Sequence, residues 1–340
     1  MSVAATYKDI RRITGLSLAT ISKYFNGGTV RPNNRVLIEA AARELGYQVN
    51  DFARGLRSRR SMTLGVVLAE LNSTFNTTIV SGMEELLREA GYGTIICDSR
   101  GGSEAETEAL HFLLGKMVDG IVIIPVGDRV VGLDAAAERG VPVLAIDRLI
   151  ADADVDAVVI DNRAAIASAV DLLATAGHTE IALLAGPDAF FTMRERRIGF
   201  RAAVKRSTGR LPRRAFTEPD AVSIEGGYDG MRRLMRLTAP PTAVVCGNYE
   251  FTLGATIALN ERADDAAPAL VGFDNLDLAR VIRPRPTFVT QPVAQIAGRA
   301  AELILRRISG EVTGPARTVV LDTELVIGDP RTHTLQRTPG

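Results

Sequence analysis

Thr14-Gly15-Leu16-Ser17-Leu18-Ala19-Thr20-Ile21-Ser22-Lys23 is the stretch on which the reading of this 340-residue chain turns. Gly15 separates two short segments, and Ser17 supplies an N-cap oxygen for the second. Upstream, Thr6 followed by Asp9 gives the T-x-x-[DE] capping arrangement, so a first helix is predicted from Tyr7 to just before Gly15. The second is predicted from the Ser17 cap to Asn26, where Gly27-Gly28 stop it. Two short helices across a glycine turn make a helix-turn-helix, whose second helix enters the major groove of DNA. At roughly 100° per residue, Leu18, Ile21, Tyr24 and Phe25 share one arc, while Ala19, Ser22, Lys23 and Asn26 share the other. The first arc packs. The second holds small residues that permit close approach, hydroxyl and amide groups able to bond phosphates, and one cation. Lys23 can donate to guanine O6 and N7, and Ala19 can make only apolar contact, as with a thymine methyl. Pro32 suits the first position of a third helix, in which Val36, Leu37, Ala40, Ala41 and Leu45 are expected to close a small core before Gly46.

Charge supports this reading once it is divided along the chain. Lys+Arg and Asp+Glu both number 40, for a formal net charge of zero. Residues 1–60 nevertheless hold eleven bases and four acids, a balance of +7, which leaves −7 on the other 280 residues. A basic head on an acidic body is the composition of a DNA-binding module joined to something else. Cys97 and Cys246 are too few and too far apart for a disulfide framework or a zinc site, and read as core thiols of a cytoplasmic protein. No apolar run approaches the roughly 18 residues that a membrane span requires. No catalytic constellation is recognisable. G-x-G-x-x-G after a strand, G-x-x-x-x-G-K-[ST] and G-x-S-x-G are all missing, and the three histidines lack partners at any catalytic spacing. No metal or cofactor is implied.

Four motifs in order, Tyr7-Lys8-Asp9-Ile10, Thr14 to Lys23, Ala41-Ala42-Arg43-Glu44-Leu45-Gly46-Tyr47 and Ala53-Arg54-Gly55-Leu56, resemble the head and hinge of the lactose/galactose repressor (LacI/GalR) family. The resemblance implies that Leu18, Ala19 and Lys23 read bases and that Ser17, Thr20, Ser22 and Asn26 contact phosphates. It also implies that the hinge, with Ala53 and Leu56, folds on DNA and wedges Leu56 into the minor groove at the centre of the site. On its own the stretch Asn50 to Arg60 is too short to hold a helix in water. The sequence departs from the family at Arg11, where a small residue usually packs between helices, and at Arg31, which replaces a usual serine cap.

Beyond Thr63, short apolar runs alternate with helical patterns. Strands are predicted at Leu64–Leu68, Thr94–Cys97, Gly120–Ile124, Pro142–Ile146, Val158–Ile160, Ile181–Leu184, Ala243–Cys246, Ala269–Phe273, Phe288–Thr290 and Leu321–Val326. Unbroken apolar strands separated by helices signify parallel sheets covered on both faces, and the length calls for two of them. The fold expected is therefore an all-α helix-turn-helix head with a hinge, followed by an α/β body of two parallel-sheet subdomains. Open sheets of this kind bind ligands beyond the carboxyl ends of their strands. The residues standing there are Glu70, Phe75, Asp147, Arg148, Asn248 and Asp274. Each alone is more often a turn residue or helix cap. Together, an arginine, an amide and several carboxylates suit a polyhydroxylated ligand, because vicinal hydroxyls take paired hydrogen bonds from planar side chains.

The body likewise resembles the effector domain of the same family, which is similar to periplasmic sugar-binding proteins. Leu64-Gly65-Val66-Val67, Asp147-Arg148, Gly177-His178-Thr179-Glu180, Arg196-Arg197-Ile198-Gly199-Phe200, Gly247-Asn248 and Val271-Gly272-Phe273-Asp274 carry that likeness. It implies Arg196, Asn248 and Asp274 as ligand contacts. Val222 stands where the family often has a stacking aromatic ring, which points away from a flat purine-like ligand and toward a sugar, sugar acid or polyol. His178, after Gly177 at a helix end, reads as structural. The implied organisation is a head at 1–49, a hinge helix at 50–60 and an effector-binding and dimerisation domain at 61–340. Within the last, one subdomain would span about 61–161 and 291–320, and the other about 162–290 and 321–330. The implied protein is a homodimeric repressor on a pseudo-palindromic double-stranded operator. A transport-type sugar-binding protein and a Rossmann-type enzyme are the rivals, the first lacking an export signal and the second its motifs.

Overall fold

The computed structural model describes residues 5–25, 28–47, 60–188, 190–209, 216–217, 222–261, 267–274 and 284–333. Asn26, Ala53, Leu56 and nearly all of the expected hinge helix lie outside them.

The head contains α1 (Tyr7–Thr14), α2 (Leu18–Phe25) and α3 (Pro32–Glu44). Asp9 closes the first turn of α1 by accepting from the Thr6 amide at 3.0 Å and the Thr6 hydroxyl at 2.8 Å. Gly15 ends it at φ +70°, in the left-handed region that glycine enters without penalty. The Ser17 hydroxyl then accepts from the Thr20 amide at 3.1 Å, starting α2 where the sequence placed it. Ile10, Ile21, Ile38 and Ala41 form the buried centre, with Tyr7, Leu16, Tyr24, Phe25, Ala42, Leu45 and Tyr47 packed around it. Tyr7 stacks on Phe25 with ring centroids 5.5 Å apart. Of the core expected around α3, Ala41 and Leu45 pack inward, but Val36, Leu37 and Ala40 are exposed, and Ile38 faces inward instead. Val36 and Leu37 adjoin Ile38 in sequence, so apolarity alone does not fix the helix phase. Arg11 is exposed, which resolves its departure from the family pattern: its side chain lies outside the helix packing. Arg31 precedes α3 without a side-chain cap, and Pro32 takes the first helical position.

The body contains two six-stranded sheets. The first is ordered β11-β5-β4-β3-β1-β2, from β1 (Thr63–Leu68), β2 (Gly93–Asp98), β3 (Gly120–Ile124), β4 (Val143–Ile146), β5 (Asp156–Ile160) and β11 (Thr318–Leu321). The second is ordered β12-β10-β9-β8-β6-β7, from β6 (Ile181–Leu184), β7 (Phe216–Thr217), β8 (Ala243–Cys246), β9 (Ala269–Phe273), β10 (Thr287–Thr290) and β12 (Glu324–Val326). The ladders joining β1, β3, β4, β5 and β11 are parallel, as are those joining β7, β6, β8, β9 and β10. β12 runs antiparallel, against β10. Every residue of β3, β4, β5, β6, β8, β9 and β10 is buried, as unbroken apolar runs demand of sheets covered on both faces.

Among the described residues of the body the helices are α4 (Thr74–Glu89), α5 (Ser103–Gly115), α6 (Leu133–Glu138), α7 (Asn162–Thr175), α8 (Phe191–Thr208), α9 (Ile224–Met235), α10 (Tyr249–Asn260) and α11 (Val293–Ser309). Two contacts between helices require glycine. A Cβ at Gly199 of α8 would come within 2.5 Å of the Arg163 carbonyl on α7, and one at Gly254 of α10 within 2.0 Å of the Ile224 carbonyl on α9.

One expected strand is overturned. Leu321–Val326 is not continuous: Leu321 pairs with Ile160 in the first sheet, while Glu324 pairs with Thr290 in the second. The chain switches sheets at Asp322-Thr323. It also passes between them after β5 and after β10, so three strands link the two halves of the body. Alternation of side chains cannot reveal such a switch, since both pieces remain extended.

Candidate functional site

In both sheets the strand order reverses beside the first strand of each half, between β1 and β3 and between β6 and β8. Chain segments leaving the carboxyl ends of β1, β3, β4, β6, β8, β9 and β10 converge on one cavity of about 620 Å³. That is the position at which parallel sheets expose loops and helix N-termini to a ligand. Glu70, Phe75, Asp147, Arg148, Arg196, Val222, Asn248 and Asp274, all singled out from sequence, line it together.

Arg196 is its most deeply placed charge, with only 3% of its surface exposed. It projects from α8, donating from Nε to Asn162 Oδ1 at 2.8 Å and from Nη1 to the Gly247 carbonyl. Its guanidinium lies over the Phe273 ring at 3.8 Å. Burial lowers its pKa, and the carboxylates of Asp147 and Asp274 oppose that shift. No carboxylate of the described residues pairs with it within 4.0 Å, so its charge is held by dipoles, a ring and acids at longer range.

Asp147 and Asp274 share an uncommon backbone. Each directly follows a strand, β4 or β9, and each sits at positive φ, +74° and +48°. For residues other than glycine that region is sparsely used, with Asp and Asn among its main occupants. In both, the turn directs a carboxylate to the cavity wall. Arg148 engages Asp147 through Nε at 3.2 Å and Nη2 at 2.9 Å, and donates from Nη1 to the Val126 carbonyl at 2.9 Å. Asp274 accepts from the Gln291 amide at 2.9 Å and from Gln291 Nε2. Burial pushes its pKa up to about 6, against the lowering effect of those bonds and of Arg196.

Asn248 caps α10, accepting from the Phe251 amide at 2.9 Å, while its Nδ2 donates to Glu250 at 2.7 Å. The cap and the cavity wall are therefore one residue. Glu250 is a lining group that sequence reasoning missed. Burial raises its pKa, helped by the charge of Glu70 and opposed by Arg196. Gln291 and Phe190 were missed as well. Gln291 follows the carboxyl end of β10, so the rule that found Asn248 and Asp274 applied to it equally. Glu106 acts from behind: 1% exposed on α5, it accepts from the Val126 amide at 2.7 Å and so fixes the carbonyl that Arg148 uses. His178 is buried, with Nδ1 2.9 Å from the Thr242 hydroxyl and away from the cavity.

In the head, Ser17, Ala19 and Lys23 are exposed, while Leu18, Thr20 and Ser22 are half-buried. The Ser17 and Thr20 hydroxyls lie 2.9 Å apart, on the first turn of α2. Tyr24 donates to Glu39 at 2.7 Å, and Arg35 donates to the same oxygen at 2.8 Å, tying α2 to α3. The exposed positions are thus carried on a helix fixed by its neighbour. Among the described residues no cluster of His, Cys, Asp and Glu is arranged to hold a metal, and no helix is long and apolar enough to cross a membrane.

Residues 61–321 match the family described as periplasmic binding proteins and sugar binding domain of LacI family. The HTH-type transcriptional repressor CytR of Escherichia coli (strain K12) is 30% identical over 331 residues, 95% of each chain. The Lac repressor dimer bound to operator and the anti-inducer ONPF superposes with a TM-score of 0.84 at 25% identity, over 98% of this chain and all of that one. A complex of the transcriptional regulator CelR with cellobiose gives a TM-score of 0.71 at 28% identity, over 95% and 99% of the two chains. Head, body and cleft together place this chain in the LacI family, to which it belongs.

Proposed function

We propose that this protein is a DNA-binding transcriptional repressor, a homodimer on a pseudo-palindromic operator, whose grip is switched by a sugar, sugar acid or polyol bound in the cavity. The observation that carries this reading is the meeting of all eight sequence-derived ligand residues on the wall of one cavity, around the buried Arg196. Leu18, Ala19 and Lys23, on α2, read bases, and Ser17, Thr20, Ser22 and Asn26 hold phosphates. Two such helices occupy half-sites while the paired hinges, with Ala53 and Leu56, meet in the minor groove between them. The head is assigned to residues 1–49, the hinge to 50–60 and the sensor to 61–340.

Ligand enters between the sheets, and the three strands that link the halves act as pivots. Closure alters the separation of the two hinges in the dimer, and a hinge that is only marginally helical responds by folding on DNA or failing to. Cytoplasmic, non-enzymatic action follows from this role.

The test uses the full chain. Selection of operator DNA from a random pool, combined with a thermal-shift screen of sugars, sugar acids and polyols, supplies both ligands, since a molecule bound by the folded state alone raises the melting temperature. Arg196→Ala is then expected to abolish the effector response while operator binding persists. Leu56→Ala is expected to weaken specific binding and leave the weak, salt-sensitive mode. An Arg196→Ala protein that still responds fully would remove the cavity from the switch.

A further inference from the structure

Within the cavity, acids outnumber cations, and each cation already spends part of its donor set on the protein. Glu70, Asp147, Glu250 and Asp274 face Arg148 and Arg196, so the described wall carries two negative charges in excess. Arg148 commits Nε and Nη2 to Asp147 and Nη1 to the Val126 carbonyl. Arg196 commits Nε to Asn162 and Nη1 to the Gly247 carbonyl. An anionic ligand would find few donors there and an opposing field. Acceptors, in contrast, are in surplus. Gln291 Oε1 is buried with no hydrogen-bond partner. Glu250 receives Asn248 Nδ2 on one oxygen, and Glu70 is exposed on the same wall. Glu70 and Glu250 line the same cavity, where the negative charge of Glu70 adds to burial in raising the Glu250 pKa and Arg196 opposes it. Glu250 is half-buried, so a like charge on the same wall is costly to it, and a ligand cation relieves that cost at the moment of binding.

Resting on the sensor reading above, we propose that the cleft takes a polyhydroxylated ligand bearing an amino group, an amino sugar or aminated polyol. Its ammonium would sit between Glu70 and Glu250, with sugar acids and sugar phosphates excluded. The hydroxyls meet Asp147, Asp274 and Gln291 as donors, and an ammonium offers three more donors to a wall that has acceptors to spare.

The experiment measures affinity by calorimetry and thermal shift on the full-length protein at pH 7 in low salt. Matched trios are used: glucose, glucosamine and glucuronic acid, and the corresponding galactose and mannose sets, with the hexose 6-phosphates beside them. The expected result is a trio whose amino member binds about 10-fold tighter than its neutral member, with no shift from the acid or the phosphate, a ratio equal to about 1.4 kcal/mol. In Glu250→Gln and in Glu70→Gln that ratio should fall toward one. Because it compares two ligands on one protein, a loss of folded material cannot imitate it. An amine preference that survives both substitutions overturns the ammonium position. Acids or phosphates that bind as tightly as amines, or neutral sugars that bind while amines do not, overturn the charge argument and leave sugar sensing standing. Silence from every member of every trio overturns both.

Discussion

Asp274→Asn separates the electrostatics of the cavity from its shape. The Asp274 carboxyl is pushed from its ordinary 3.8 up to about 6, chiefly by burial. Its folded-state pKa is therefore raised, so the contribution of this group to stability is fully present below about 3.8 and is lost as pH rises through about 6. A rise of about two units corresponds to about 3 kcal/mol for a fully desolvated group, at 1.36 kcal/mol per unit. The side chain keeps some solvent contact, which reduces the expected effect to about 1–2 kcal/mol between pH 4 and pH 7. Asparagine suits the site sterically. It tolerates the φ of +48°, and its Oδ1 can still accept from the Gln291 amide at the position now 2.9 Å away. Its Nδ2 would face Gln291 Nε2, but a rotation of the Gln291 amide turns the presently unpartnered Oε1 toward it and makes a new bond. Urea unfolding of both proteins from pH 4 to 7.5 tests this. The difference between them should favour the variant progressively as pH rises, with the slope concentrated between pH 4 and 6. Parallel stability profiles across that window would refute the reasoning, because every other titrating group is common to both proteins.

Three further outcomes follow from single contacts. Asp128→Asn removes the 2.7 Å ion pair from Arg194 that ties the loop after β3 to α8, from one sheet to the other. A half-exposed pair is worth about 0.5–1 kcal/mol, so effector affinity should weaken roughly 2- to 5-fold by calorimetry, and unchanged affinity would show that the tie does not favour closure. Asp156→Ala strips Arg307 of bonds at 2.7 and 2.8 Å and leaves the Arg317 amide without its acceptor. Because Asp156 is 4% exposed and Arg307 keeps the Gly314 and Pro315 carbonyls, a loss near 3 kcal/mol is expected in urea, and a loss under 1 kcal/mol would contradict it. Gly199→Ala should cost about 2–3 kcal/mol or force α7 and α8 apart, since its Cβ would meet backbone and not a yielding side chain; a neutral result would mean the helices have slack.

How far the sequence could be read depended on whether a property was local. Strands buried on both faces announce themselves by composition, and β3, β6, β8 and β9 match their predicted limits residue for residue. The first or second residue after such a strand is then identified by counting, which is how Asp147, Asn248 and Asp274 were reached. Where local signals compete, the reading fails. On α3 three adjacent apolar residues, Val36, Leu37 and Ile38, offer more than one phase, and only packing against Ile10 and Ile21 selects Ile38. At Asp322-Thr323 the chain changes sheets with no change of backbone type, so neither propensity nor alternation marks it.

The charge of the cavity belongs to a third category. Glu106 did carry a local signal: it falls on the same helical face as Ala109, Leu110 and Leu113, where a carboxylate needs a partner, and it finds the Val126 amide. Glu250 carried a weaker one, since an acid in the first turn of a helix is ordinary. What neither position discloses is that Glu70, nearly two hundred residues away in the chain, lines the same cavity and adds its charge against Glu250, while both nearby arginines already donate to carbonyls, an amide and Asp147. The sum of charges in a cleft depends on which loops meet there and which donors are already committed, and both are set by the fold. The sign of the excess is therefore the property that ligand binding reads and that composition conceals, just as a net charge of zero conceals a basic head and an acidic body.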